Sequence, residues 1–394
     1  MSTLDFLELA ASLSLQAALV VAVTHWAARH LHARTQCRLW TGCYVVLLGL
    51  VMLAVVLPHP RLLRPWTGAS ESRLAEAASL QSNVGRVVLV VWTIGMLVSL
   101  TLLVYRMVRV SRFLKKCVPL NPSSLPQDTR SDFIDAPWNG AVGSSSSSES
   151  RFGKERSQSI HLFCSAGLSS PFCWQFHKPC IVLPDVLLAL DDDELRFIIR
   201  HEIEHLRTGH PLQQFLQRVV EVLFWFHPMV WWAAYRTEVT REFVCDDAAI
   251  QSKSEIASYL RMLLTIVEQS TAGKDALHAP LAFARGKSLM AARAGRLVAR
   301  TATPSRCVMR PSGMIATFCF ATVCMIAPTM WVPANALASP QTMWSPWPAW
   351  TADVLHDFDI HARDFELNSH RVELHEVGDD DSDDWDHLPV GQIQ

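Results

Sequence analysis

The sequence predicts an α-helical integral membrane protein with about four transmembrane helices and a cytoplasmic α+β domain. Three observations support this fold class: long apolar stretches, positive charge that follows alternate stretches, and a region of short strand-like and helix-like segments between the third and fourth. Half of the 394 residues are hydrophobic and 18% are charged. A span needs about 20 mostly apolar residues, because the hydrocarbon core of a bilayer is about 30 Å thick. The stretches that fit are about residues 7–28, 39–57, 87–105 and 313–332.

Positive charge predicts the orientation. Basic residues follow the first stretch at Arg29, Arg34 and Arg38, and they recur in the ranges 106–116 and 293–310. The positive-inside rule places these three regions in the cytoplasm, and the N-terminus and the C-terminal tail outside. The N-terminus has acidic residues instead of a basic signal-peptide region, so no cleaved leader is expected. None of the ten cysteines falls in a predicted outside segment, which agrees with this orientation.

The composition divides the chain into five parts. Residues 1–110 hold three spans, 111–158 a flexible cytoplasmic linker with a serine run, 159–310 the cytoplasmic domain, 313–332 the fourth span and 333–394 an outside tail. The tail carries 13 acidic and two basic residues between Asp353 and His387, together with histidines. A disordered solvating tail is the default, and cation or basic-peptide binding is the alternative. This uneven charge excludes a nucleic-acid binder with one continuous basic face.

Short local patterns predict the elements of the cytoplasmic domain. Residues 160–163 and 180–183 have strand character, and they flank a segment, 170–177, that could be a turn or hairpin. Asp191 and Glu194 then predict the N-terminus of a helix with a capping pair. Further on, the aromatic stretch from Val219 to Tyr235 predicts a buried or membrane-surface helix that could shield a site from water.

The first of these helices carries the pattern His201-Glu202-Ile203-Glu204-His205. Residues at i and i+4 share a helix face, so the two imidazoles can bind one metal ion. Glu202 is adjacent and can take a proton from a water held by that metal. Zinc fits best, because it accepts nitrogen and oxygen ligands and leaves one position open. The sequence has no Cys-x-x-Cys pair that would support a cysteine zinc site.

A third ligand is available on a second predicted helix, residues 237–247. Glu242 and Asp246 are again spaced i and i+4, so a ligand carboxylate and a carboxylate that supports a ligand could share one face. The alternative is a solvated acidic face that includes Arg241.

These motifs together resemble the BlaR/MecR-type membrane zinc metallopeptidases. The resemblance rests on Ser170-Pro-Phe, the HExxH helix, Phe224-Trp-Phe-His-Pro228, Trp231-Trp232 and Arg241-Glu-x-x-Cys-Asp-Asp247, in this order. It implies a bacterial inner-membrane protein whose cytoplasmic domain is a zincin of the gluzincin type. By resemblance, His201, His205 and Glu242 bind Zn²⁺ and Glu202 is the general base.

The departures from the family pattern leave some roles open. Only 62 residues follow Val332, without a Ser-x-x-Lys motif, so no covalent antibiotic sensing is expected. His210 is an extra ligand or, more simply, a hydrogen-bonded histidine. His227 is a candidate for supporting the site or its oxyanion, and a packed structural histidine is the alternative. Cys245 is expected to be a buried structural thiol.

The expected function is a membrane zinc endopeptidase of a signalling system. By resemblance its substrate is a cytoplasmic protein, such as a winged-helix repressor, or the chain itself, and an extended substrate could pair with the strands near Ile160 and Ile181. The alternatives are a non-proteolytic transmembrane receptor that retains the zinc fold and a constitutive quality-control protease of the membrane. A transporter is disfavoured, because the clear spans carry no central ionisable residue.

Overall fold

The computed structural model describes residues 3–57, 69–134, 160–166, 168, 170–176, 178–272, 280–302, 311–332, 335–336, 364–367 and 370–373. The helices are α1 Thr3–Ala28, α2 Ala33–Val56, α3 Glu71–Leu114, α4 Gln127–Ile134, α5 Asp192–Arg207, α6 His210–Leu223, α7 Pro228–Ala249, α8 Ile256–Ala272, α9 Pro280–Ala302 and α10 Pro311–Ile326. The strands are β1 Val118–Pro119, β2 His161–Ser165, β3 Phe172–Trp174, β4 Cys180–Pro184, β5 Asp364–Leu367 and β6 His370–Glu373.

Three helices, α1, α2 and α3, are long and apolar enough to cross a membrane. Helix α3 has 44 residues, a length of about 66 Å at 1.5 Å per residue, so it extends beyond a bilayer core of about 30 Å. Apolar side chains such as Val87 and Ile94 are more than half exposed along it, as lipid contact requires. Helix α10 has only 16 residues before a 3₁₀ turn that contains Pro328, so a fourth span stays a prediction.

Helix α1 packs against α2, α7 and α10, and α2 also packs against α7, around a buried cluster that includes Val20, Trp40 and Leu47. Helix α1 also packs along α3. At this contact a Cβ on Gly85 would lie 2.3 Å from the carbonyl oxygen of Thr3. Glycine at this position therefore permits the close approach of α3 to α1.

A four-stranded sheet with the order β1-β2-β4-β3 lies beside the helices. Strands β2 and β4 pair in parallel, and β1 and β3 pair antiparallel on the outside. The two predicted strands are thus confirmed, and the segment between them contributes β3. Every residue of β4 is buried. The prediction that β2 or β4 offers a free edge is wrong, because each has a strand on both sides.

The prediction of a flexible linker over 111–158 is wrong for its described part. Helix α3 continues to Leu114, β1 joins the sheet, and α4 packs against α5. Asp132 of α4 accepts hydrogen bonds of 2.7 Å from both Arg196 and Arg200 of α5. The serine run lies outside the described residues.

Helix α5 confirms the predicted motif helix, with Asp191 at its N-cap. The capping pair is not formed, because Asp191 makes no side-chain cap hydrogen bond. The neighbouring Asp192 instead accepts a hydrogen bond of 2.7 Å from the hydroxyl of Thr129 on α4. A left-handed turn at Gly209, with φ of 72°, separates α5 from α6.

The aromatic stretch 219–235 differs from its prediction because it forms a helical hairpin and not one helix. Helix α6 ends at Leu223, and α7 begins at Pro228 after a turn. The Trp225 indole in this turn donates to the carbonyl oxygen of Trp92 at 3.3 Å, in the middle of α3. The hairpin tip therefore lies among the membrane-length helices. In the tail, β5 and β6 form an antiparallel pair.

Candidate metal and catalytic site

Three side chains converge where α5 crosses α7. His201 Nε2 and His205 Nε2 lie 3.2 Å apart. Glu242 places Oε2 3.3 Å from His201 Nε2 and Oε1 3.5 Å from His205 Nε2. The i, i+4 spacing on α5 and the packing of α7 across it therefore bring the three predicted ligands together.

This spacing fits a zinc ion. Bonds of about 2.0–2.1 Å to a tetrahedral zinc place neighbouring ligand atoms about 3.3–3.4 Å apart. The imidazole nitrogens lie 3.2 Å apart, and each lies 3.3 or 3.5 Å from one of the two oxygens of Glu242. Two neutral imidazoles and one carboxylate can thus hold zinc and leave a fourth position open.

Cys245 is a competing third ligand by position. Its sulfur and the ring nitrogens of His201 and His205 lie within 4.8 Å of one another. Burial, together with the nearby carboxylate of Glu242, raises the pKa of the Cys245 thiol well above its ordinary value, which disfavours the thiolate that a metal would require. Glu242 fits the third position better: although burial opposes its charge, Arg293 holds its pKa well below the ordinary value.

Two side chains orient His201 from its other ring nitrogen. Nδ1 lies 3.1 Å from the hydroxyl of Tyr259 and 3.4 Å from Asp246 Oδ1, and the tyrosine donates to the same Asp246 oxygen at 2.7 Å. Burial disfavours a charged ring, but hydrogen bonds to Asp246 and Glu242 raise the pKa of His201 to about 9 in the metal-free protein. Asp246, predicted to support a ligand, therefore lies where that role requires.

His210 supports His205 in the same way. The Nδ1 atoms of the two rings lie 2.9 Å apart, and His210 Nε2 lies 3.5 Å from the sulfur of Cys37 on α2. Burial and the neighbouring His205 lower the pKa of His210 to about 2, so its ring is neutral. The structure thus favours a hydrogen-bonded histidine over an extra ligand, and it links that histidine to α2.

Glu202 lines a cavity of about 490 Å³ together with His201, His205 and Glu242. Strand β3 forms one wall. The thiol of Cys173 on this strand donates to Glu202 Oε2 at 2.9 Å and to the Glu202 carbonyl oxygen at 3.2 Å. The carboxylate is therefore held at the wall of the cavity that the three candidate ligands also line.

His227 lies away from these groups. It is buried at the N-terminus of α7, and its Nε2 is 3.1 Å from the carbonyl oxygen of Ser14 on α1. It is not among the residues that line the cavity in the described part of the chain. The packed structural histidine fits this position, and a role at the oxyanion does not.

The sequence patterns missed three side chains at the site: Cys173, Tyr259 and Arg293. Each reaches the HExxH helix or Asp246 only through a tertiary contact, and none belongs to a metal-binding sequence motif. The sequence shows the spacing of Arg293, Arg296 and Arg300 along one helical face, but it does not show which acidic residues they contact.

The region that carries this site is similar to known proteins. A family model described as BlaR1 peptidase M56 matches residues 146–289. The regulatory protein BlaR1 of Bacillus licheniformis is 25% identical over 95 residues, which cover 24% of this chain and 16% of the relative. The methicillin resistance mecR1 protein of Staphylococcus aureus is 30% identical over 88 residues, which cover 22% of this chain and 15% of the relative.

The fold and the matched region together define a metallopeptidase-type domain carried by helices of membrane length. The chain is similar to the BlaR/MecR-type family, as its motifs predicted, with low and partial identity to the curated relatives. It spans about one sixth of the length of those relatives. The matched peptidase family implies a metal cofactor, and the site offers the side chains that could hold one.

Proposed function

We propose that this protein is a membrane-embedded zinc endopeptidase of a bacterial signalling system. The observation that carries the proposal is the triangle of His201, His205 and Glu242, whose separations suit tetrahedral zinc, with Glu202 beside it in the cavity. Zinc at this position would supply Lewis-acid polarisation of a peptide carbonyl and lower the pKa of the attacking water.

The chain's own residues divide the remaining work. Glu202 takes the proton of the attacking water and delivers it to the leaving amine. Cys173 fixes one oxygen of that carboxylate by its 2.9 Å hydrogen bond. Asp246 with Tyr259 holds the ring of His201, and His210 holds the ring of His205.

An extended peptide has one suitable edge on which to bind. Strand β3 ends the four-stranded sheet in the described part of the chain, and all three of its residues line the cavity. A substrate strand that pairs with β3 would lie across the metal position by main-chain hydrogen bonds. This mode selects an unfolded or loop segment of a protein.

The proposed orientation has the site on the cytoplasmic side. Arg34, at the basic end of α2, donates a 2.7 Å hydrogen bond to the buried Glu204 on the metal helix. At the opposite end, the backbone nitrogen of Asn335 donates to Glu8 of α1 at 2.8 Å. These contacts support a peptidase domain at the basic, cytoplasmic ends of the spans and a tail that starts outside.

The substrate proposed by resemblance is a cytoplasmic protein, such as a winged-helix repressor, or a segment of the chain itself. The relatives' names, "regulatory protein" and "methicillin resistance", describe those proteins and support a regulatory system here.

Full-length protein in lipid nanodiscs tests the activity with wild type, Glu202→Gln and His205→Ala. We expect wild type to bind one zinc and to cleave unfolded casein. Glu202→Gln should bind zinc equally and cleave about 10²–10⁴-fold more slowly, because only the proton acceptor is lost. His205→Ala should lose the zinc. Wild-type protein that binds no zinc, or Glu202→Gln that cleaves at the wild-type rate, would contradict the proposal.

A further inference from the structure

Helix α9 brings a buried arginine to the metal site from outside the matched peptidase region. The family match ends at residue 289, whereas Arg293 follows it on α9. Arg293 is only 5% exposed and lines the cavity. A buried cation of this kind requires partners of opposite charge.

The guanidinium binds two carboxylates at once. Its Nε and Nη2 donate to the two oxygens of Asp246 at 3.0 and 2.5 Å, and its Nη1 lies 3.1 Å from Glu242 Oε2. Nη2 also donates to the hydroxyl of Tyr259 at 3.2 Å. A guanidinium is planar and rigid, so these contacts fix the two carboxylates relative to each other.

Both carboxylates act on the same histidine. Glu242 Oε2 lies 3.3 Å from His201 Nε2, and Asp246 Oδ1 lies 3.4 Å from His201 Nδ1. We propose that Arg293 is a positioning residue of the metal site, through which α9 fixes the third ligand Glu242 and the partner of His201 together. This inference rests on the proposed zinc site.

Other arginines hold α9 in place without touching the ligands. Arg296 donates to Asp247 Oδ1 at 2.8 Å and stacks over the ring of Phe243, with 4.7 Å between guanidinium carbon and ring centre. Arg300 pairs with the same aspartate. Docking of the helix and support of the metal site therefore reside in different side chains of α9 and can be separated by mutation.

The test measures zinc affinity by chelator competition, together with kcat and KM, for full-length protein in nanodiscs. Arg293→Gln should bind zinc about 10–100-fold more weakly, the usual effect of removing a side chain that supports a ligand. Arg293→Lys should restore part of the affinity, because one ammonium keeps the charge but cannot span both carboxylates. The matched control Arg300→Gln removes the same charge from the same helix and should leave zinc affinity unchanged.

Wild-type affinity in folded Arg293→Gln would overturn the inference. If that variant does not fold, Arg293→Lys decides: we expect at least about a fivefold loss of zinc affinity, and an unchanged affinity would refute the positioning role. Wild-type protein that binds no zinc would instead refute the proposed function, so the two failures are distinguishable.

Discussion

His210 gives a sharp test of how the second histidine ligand is held. For His205 to bind metal through Nε2, its Nδ1 must carry the proton, and the Nδ1 of His210, 2.9 Å away, is the acceptor. Burial lowers the pKa of His210 to about 2, so its neutral ring can accept this hydrogen bond and the proton stays on His205. His210→Leu leaves the buried Nδ1–H of His205 without this acceptor.

We expect His210→Leu to weaken zinc binding about 10–100-fold, equivalent to about 1.4–2.7 kcal/mol. His210→Asn should recover part of this loss, because the amide oxygen can take the place of Nδ1. The assay is chelator competition on protein whose thermal unfolding shows that it is folded. His227→Asn is the control, since His227 contacts Ser14 and should leave zinc affinity unchanged. Wild-type zinc affinity in folded His210→Leu would refute the reasoning.

Three further predictions concern the base, the helix packing and the proton balance. Cys173→Val should lower kcat/KM about fivefold with unchanged zinc affinity, because Glu202 loses a hydrogen bond worth about 1 kcal/mol. Cys173→Ser should keep most of the activity, because the hydroxyl can donate the same hydrogen bond. Gly85→Ala should lower the free energy of unfolding by about 1–3 kcal/mol, whereas Gly42→Ala, with no atom within 4 Å, should not; equal melting temperatures would contradict this. Because the pKa of metal-free His201 is about 9, zinc binding should displace a proton from its ring, and zinc affinity should rise with pH up to about 9. Calorimetry at pH 7 in two buffers of different ionisation enthalpy measures this proton release, and finding none would contradict the prediction.

The sequence predicted those parts of the fold whose signals are local. The i, i+4 histidines identified the metal-facing side of α5, and the strand character of residues 160–163 and 180–183 identified β2 and β4. Residues 111–134 were mistaken for a linker, because three prolines in this stretch are typical of loops. These residues are held in a defined structure by partners distant in sequence, such as Arg196 and Arg200 for Asp132. No local sequence pattern contains that information.

The site shows the same division between local and tertiary signals. Glu242 and Asp246 could be selected from spacing and family resemblance. Arg293 could not, because 47 residues separate it from Asp246 and its charge also fits the positive-inside pattern of the region before α10. His227 illustrates the converse: its place in a family motif suggested the site, whereas the hairpin tip carries it to α1.

The most direct test of the central claim compares newly formed protein N-termini in cells that express wild type or Glu202→Gln at equal abundance. The comparison is made with and without a cell-wall antibiotic. The account predicts termini that appear only with the wild type and that identify a cytoplasmic substrate or self-cleavage. Identical sets of termini under both conditions would contradict proteolysis and favour a receptor that retains the zinc fold and signals by binding.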